Sequence, residues 1–241
     1  MSVIASNIIS LKRQLPSGVK LVAVSKTKPV SDILEAYNTG QKVFGENRVQ
    51  ELLSKIDLLP PDIEWHLIGH LQSNKVKLIV PFISMIHSVD SFKLLKVINT
   101  ESEKINRITD CLLQFHIASE DTKFGFDIDE VVSMISSPEF TQINSVRICG
   151  VMGMATFTDD ESRIRKEFRY LSACFNELTR RFLKDSDSFR EVSMGMSGDY
   201  LAAVDEGATT LTGYKAGLEL QKQAGLHWQG GVEIGTTSPG F

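Results

Sequence analysis

Residues 19–47 read VKLVAVSKTKPVSDILEAYNTGQKVFGEN, and their pattern points to the fold. Val19 to Ser25 is almost uniformly apolar and β-branched, as a strand covered on both faces requires. Val30 to Thr39 then carries a helical pattern, with Ser31 and Asp32 as cap candidates and Gly40 as its stop. Lys42 to Gly45 is a second short strand. Strand, helix and strand without a tight hairpin signal make a βαβ unit, whose strands run parallel.

The same alternation continues along the chain. Strands are predicted over Ile63 to Ile68, Ser84 to Val89, Ile108 to Ala118, Val146 to Ala155, Glu191 to Met194 and Thr209 to Thr212. Helices are predicted from Glu46 to Leu59, Asn74 to Val80, Ser91 to Arg107, Ile128 to Ser136, Asp159 to Lys184 and Gly198 to Glu206. Asp90 and Ser91 are cap candidates for the third of these, and Asp159 and Asp160 suit the positive end of the long helix. Alternation alone also fits an open doubly wound sheet. Eight β units in 241 residues favour a closed (β/α)8 TIM barrel, which takes roughly 200–250 residues.

Residues 1–18 are read as an N-terminal helix packed on the barrel, with Val3, Ile4, Ile8 and Leu11 near helical spacing. Residues 19–212 are read as the barrel, and 213–241 as an atypical tail, rich in glycine and weakly patterned.

Composition narrows the function classes. The chain is 42% hydrophobic and 23% charged, with a formal net charge of -4. It has no basic block of the kind that nucleic-acid binding uses, so no nucleic-acid partner is expected. Its apolar runs are short and broken by charge, so no membrane span is expected. The charges of the first residues follow the apolar ones, the reverse of a secretory signal, so a cytoplasmic location is expected. Cys111, Cys149 and Cys174 are far apart and odd in number, which argues against a disulfide framework or a zinc site. Cys111 and Cys149 read as inert core thiols.

In a barrel of this kind chemistry sits where strands end and loops begin. Lys26 follows the first strand with the parity of Val22 and Val24, so it is expected at the barrel mouth. A lysine among apolar walls loses its charge more easily and can attack a carbonyl. Lys28 lies further round the turn, before Pro29, and reads as a loop residue. After the seventh strand, Gly195-Met196-Ser197-Gly198 precedes a helix, where backbone N–H groups can meet an anion. Ser197 is thus either part of a phosphate cradle or only an N-cap. A reactive lysine and a phosphate cradle across one mouth describe pyridoxal 5′-phosphate.

Asn47 is read as a hydrogen-bond partner of a ring hydroxyl or as a helix N-cap. Met152 and Met154 lie where they could pack on a flat ring, core packing being the alternative. His66 and His70 lack the intervening glutamate of a zinc helix, so no metal is expected. Glu120, Asp121 and Lys123 read as a solvated loop. The expected cofactor-binding set is Lys26, Asn47, His66, Met152, Gly195 and Ser197, with Lys26 the one catalytic assignment.

AVSKTKP, FGENRVQEL, WHLIGHLQSNK, SVDS, TKFGF, GVMGMATFTDD and VSMGMSGD resemble, in order and spacing, the YggS/PROSC-type pyridoxal phosphate homeostasis proteins. The resemblance runs from about Leu21 to Thr209. It implies a fold-type III barrel like that of alanine racemase, without the C-terminal β-domain. It also implies a Schiff base between pyridoxal phosphate and Lys26, with Asn47, Ser197 and Gly195 lining the cofactor site. The implied role is cofactor homeostasis in a monomer or weak dimer, with delivery to pyridoxal-phosphate-dependent apoenzymes and no catalysis. The barrel is read as taking up the whole chain, which leaves no second domain to bring a base to the other face of a substrate.

Three positions depart from the family pattern. Arg48 stands where Tyr is common and His116 where Asn is common. After Gly207 the usual Arg-Ile-Gly run is missing, and Thr212-Gly213 is a poor substitute, which implies a weaker hold on the cofactor. Two other readings remain. One is a pyridoxal-phosphate enzyme, a racemase or lyase, with His66 or Tyr214 as its second base. The other is an aldolase forming a Schiff base between Lys26 and a sugar phosphate.

Overall fold

The computed structural model describes residues 2–118, 124–184 and 186–214, with Tyr214 described in its backbone alone. Among the described residues eight parallel strands close into a barrel in sequence order. They are β1 Lys20–Val24, β2 Val43–Glu46, β3 Glu64–Leu67, β4 Met85–Val89, β5 Thr109–Phe115, β6 Val146–Gly153, β7 Glu191–Ser193 and β8 Thr210–Tyr214. Closure is made by β1 on β8, in register from Lys20 with Thr210 to Val24 with Tyr214. The expected (β/α)8 barrel is the fold.

The helices are α1 Val3–Gln14, α2 Val30–Tyr37, α3 Val49–Lys55, α4 Val76–Ile79, α5 Phe92–Glu103, α6 Ile128–Ile135, α7 Glu161–Leu178 and α8 Tyr200–Asp205. Strand alternation divides the core. Side chains such as Phe44, Trp65, Leu67, Ile86, Leu113 and Val151 join one buried cluster with the apolar faces of the helices. Met85, Leu112, Cys149 and Met152 form a separate buried cluster. All three cysteines are buried and free. Burial pushes the Cys149 thiol up to about 11.

The N-terminal ends of the strands are tied by polar contacts. Lys20 Nζ donates to Glu191 Oε1 at 2.8 Å, and the Thr210 hydroxyl donates to Glu191 Oε2. Contacts at this end of a barrel serve stability, whereas the opposite end serves chemistry.

Four expectations need correcting in detail. Helix α2 begins one residue before Ser31, with Pro29 at its cap and no side-chain cap bond. Proline suits a helix start because its φ is already fixed and no N–H is lost. The helix expected from Glu46 starts at Val49, because Glu46 closes β2 and Arg48 is still extended. It ends in a 3-10 turn, Ile56–Leu58. The long helix opens on Asp160, whose side chain accepts from the Arg163 N–H, and turns into a π-helical segment, Thr179–Leu183. Ser91 does cap α5. The loop residues Glu120, Asp121 and Lys123 and the tail from 215 lie outside the described residues.

Candidate functional site

The loops that follow the strands meet at one end of the barrel, and Lys26 is in the first of them. It occupies a turn two residues past the end of β1 and is half-buried. Burial lowers the pKa of its amine, the nearby Arg48 guanidinium lowers it further, and Glu51 acts in the opposite direction. The departure at Arg48 therefore bears directly on Lys26.

The next residue, Thr27, has φ 61. A β-branched residue in the left-handed region is a strained outlier, costing about 1–3 kcal/mol. Lys28 pairs loosely with Asp32 at 3.7 Å, one turn along α2, as a loop residue does.

Asn47 follows β2 at a bend, and the cap position of α3 belongs to the extended Arg48, so Asn47 is not the N-cap. Its backbone is crossed closely by Gly69. A Cβ built on Gly69 would lie 2.4 Å from the Asn47 carbonyl oxygen. The Ser88 hydroxyl of β4 donates to the Gly69 carbonyl at 2.6 Å, tying the third loop to that strand.

Ser197 is not the N-cap of α8 either; that position is Asp199. Asp199 accepts the Met196 N–H at 2.6 Å. That N–H is therefore already used within the loop. Gly195 has φ +91, and a Cβ there would lie 2.4 Å from the Cβ of Ala203. Its glycine is needed for a left-handed turn and for α8 to pack closely, a reason the sequence reading did not give. Ser25, Lys28, Met196 and Ser197 line the mouth end of one cleft, so the loops after β1 and β7 come together. The cleft continues between α1 and α2 over Leu21, Ala23 and Leu211.

His66 and Met152 are both deep. Met152 is buried against Met85, Leu112 and Cys149. His66 Nδ1 lies 2.8 Å from His87 Nε2, and His87 Nδ1 lies 3.0 Å from Ser193 Oγ. Burial first, then its neighbour's charge, pushes His66 well below the ordinary imidazole range, and burial holds His87 at about 3. Both rings are neutral at physiological pH. Met154 is exposed. His70 stacks on Phe124 and pairs with Asp90 at 3.0 Å. His116 uses its backbone N–H to hold Phe126 beside the end of β5.

Sequence reasoning missed the groups that hold the mouth loops from behind. Glu167 of α7 accepts both the N–H and the hydroxyl of Thr156, at 2.6 and 2.8 Å. Glu51 of α3 accepts the Thr27 N–H, and Lys55 joins Glu51 to Glu46. Glu46 was read as the first residue of a helix, and neither its place at the end of β2 nor its partners were legible.

A lysine below its ordinary range, two more cations (Lys28 and Arg48), the Ser197 hydroxyl and the Asn47 amide are a donor set suited to a small anionic aldehyde. Residues 1–218 match the family described as alanine racemase, N-terminal domain. A pyridoxal phosphate homeostasis protein of Aquifex aeolicus is 38% identical over 192 residues, covering 79% of this chain and 82% of the relative. Two solved structures of PipY from Synechococcus elongatus, without and with PLP, share 36% identity with TM-scores of 0.81 and 0.78. Each comparison covers 88% of this chain and 98% of PipY. Alanine racemase from E. faecalis is 15% identical with a TM-score of 0.68, covering 88% of this chain and 56% of that one, a likeness of fold alone.

Proposed function

The chain belongs to the alanine racemase N-terminal domain family, among the pyridoxal phosphate homeostasis proteins, and from that membership we propose that it binds pyridoxal 5′-phosphate at the barrel mouth, as a Schiff base on Lys26, to store the cofactor without transforming a substrate. Lys26 is the residue on which the proposal stands. Its half-buried amine, lowered by burial and by Arg48, is the group at the mouth best suited to add to a carbonyl.

When bound, the cofactor supplies an electrophilic aldehyde carbon and a phosphate. Lys26 would hold the cofactor through its Nζ, an amine whose lowered pKa favours addition to a carbonyl carbon with loss of water. Ser197 and Lys28, sharing the mouth end of one cleft, suit the phosphate. Asn47, fixed by the close passage of Gly69, suits the ring hydroxyl. Gly195 sets the turn that presents Ser197, and His66 and Met152 form the floor beneath.

Holding is favoured over catalysis by the kind of relative. Homeostasis proteins are 36–38% identical to this chain over the aligned residues, and the racemase shares a fold. His66, one of the two nominated second bases, already has its Nδ1 against His87. We assign the barrel as the cofactor-binding body, its last strand β8 running to Tyr214, two residues past the expected boundary at 212, with α1 of the expected 1–18 segment packed on it. The expected setting is the cytoplasm, with the chain a monomer or weak dimer that hands its cofactor to apoenzymes. Among the described residues no helix is long and apolar enough to cross a membrane.

Titration of the purified protein with pyridoxal phosphate tests this reading. A Schiff-base absorbance that saturates, and that is lost in Lys26→Ala, is the expected result. No such band with the ligand in excess would refute it.

A further inference from the structure

Three charged side chains form a closed network behind the turn that carries Lys26. Lys55 Nζ donates to the Ser25 carbonyl at 2.8 Å, to Glu46 Oε1 at 2.7 Å and to Glu51 Oε1 at 2.6 Å. Ser25 adds a hydroxyl bond to Glu46 Oε1 at 2.7 Å. Thr27 gives its N–H to Glu51 Oε1, the same oxygen that Lys55 reaches. The residues before and after Lys26 are thus both bound to one ion-pair network from β2 and α3.

We propose that Lys55, with Glu46 and Glu51, is the positioning element of the site: it fixes the Ser25–Thr27 turn and thereby the direction of the Lys26 side chain, without itself touching the cofactor. This rests on the reading of Lys26 given above. Two observations favour positioning over a purely structural role. First, Thr27 is held at φ 61, a conformation that persists where the surroundings over-determine it. The Glu51 contact lies on that residue. Second, the network is a poor stabiliser in its own right. Glu46 is fully buried, and its Oε2 has no hydrogen-bond partner among the described residues. Burial pushes its carboxyl up against the pull of Lys55 and Ser25. Buried pairs of this kind are often neutral or worse against apolar replacements. Supporting residues of this sort decide whether a reacting group sits within a fraction of an ångström of its working place.

Glu51 makes the test sharp, because its charge and its hydrogen bond pull in opposite directions. Its charge raises the Lys26 pKa, so Glu51→Ala should leave more of the amine neutral. Its hydrogen bond holds the turn, so the same variant should capture the cofactor less well. Two readouts separate the effects: acetylation of Lys26 by a pulse of acetic anhydride, quantified by peptide mass, and the rate of pyridoxal phosphate capture followed by absorbance. The expected result for Glu51→Ala is acetylation at least as fast as in the unchanged protein, with capture slowed about tenfold or more.

The double variant Glu46→Leu/Lys55→Met removes the buried charges together, so neither is stranded, and should also capture slowly. Glu51 is partly exposed, so Glu51→Ala decides the matter alone should the double variant not fold. A folded Glu51→Ala that captures the cofactor at the unchanged rate overturns the proposal. If the unchanged protein captures no cofactor, the function proposed above fails. The clamp is then judged on the ratio of Lys26 to Lys28 acetylation, which it requires to change in Glu51→Ala. An unchanged ratio overturns it.

Discussion

His66 Nδ1 and His87 Nε2 lie 2.8 Å apart inside the barrel, with both rings almost wholly buried. One nitrogen donates and the other accepts, and burial of both rings disfavours a charge on either. His87 is held at about 3, against an ordinary 6.5. Between those values the unfolded chain binds the extra proton, so stability rises with pH across the window and is lost as pH falls from about 6.5 towards 3. Urea unfolding at a series of pH values should show this loss, on the order of a few kcal/mol. His87→Gln should flatten the acid limb and lower stability at neutral pH by about 1–3 kcal/mol, since His66 and Ser193 lose a buried partner.

The Lys20–Glu191 bridge should behave in the opposite sense to a buried unpaired acid. Burial alone would raise the Glu191 carboxyl, but hydrogen bonds from Lys20, Thr210 and Thr209 outweigh it and hold the group below its ordinary value. Such a group contributes stability above its unfolded pKa, and that contribution is lost as pH falls through the folded one. Lys20→Met should therefore cost about 1–2 kcal/mol at neutral pH, Lys20 being partly exposed. The difference from the unchanged protein should shrink in acid. A constant difference would assign the loss to packing.

Gly69→Ala should damage the site through the backbone. The added Cβ meets the Asn47 carbonyl oxygen and Cα at 2.4 and 2.8 Å. Neither is the end of a flexible side chain, so the second and third loops must part. A loss of about 2–4 kcal/mol in thermal or urea unfolding is expected, with weaker cofactor capture. Gly198→Ala is the control for stability: nothing lies within 4 Å of its added Cβ, so its melting point should stay within error.

Arg48→Gln tests the electrostatics of Lys26. Arg48 lowers the Lys26 pKa. Its removal should shift the pH midpoint of Lys26 acetylation upward and leave less neutral amine at pH 7. An unmoved midpoint would mean that burial alone sets the amine.

Much of the barrel was legible because its strands are buried on both faces and punctuated by Gly, Pro and polar loops. β4 and β6 start within a residue of their expected places. The mouth loops were legible as a rule of the fold, and Lys26 and Ser197 as candidates within them. What the sequence hid were partners distant in the chain. Lys55 closes the run ELLSK and looks like a solvated residue at a helix end, yet it is buried against Ser25, 30 residues away. His87 looks like one histidine in an apolar strand, and only barrel closure sets it between His66 and Ser193. Gly195 was legible as a special residue, but its close packing against α8, where an added Cβ would meet Ala203, was not.

The most direct test of the account is the site of covalent capture. The protein loaded with pyridoxal phosphate is reduced with borohydride, digested, and the modified peptide sequenced by mass spectrometry. The account predicts a single dominant adduct on Lys26, with Lys28 unmodified. An adduct on Lys28, or one spread over several surface lysines, would contradict it.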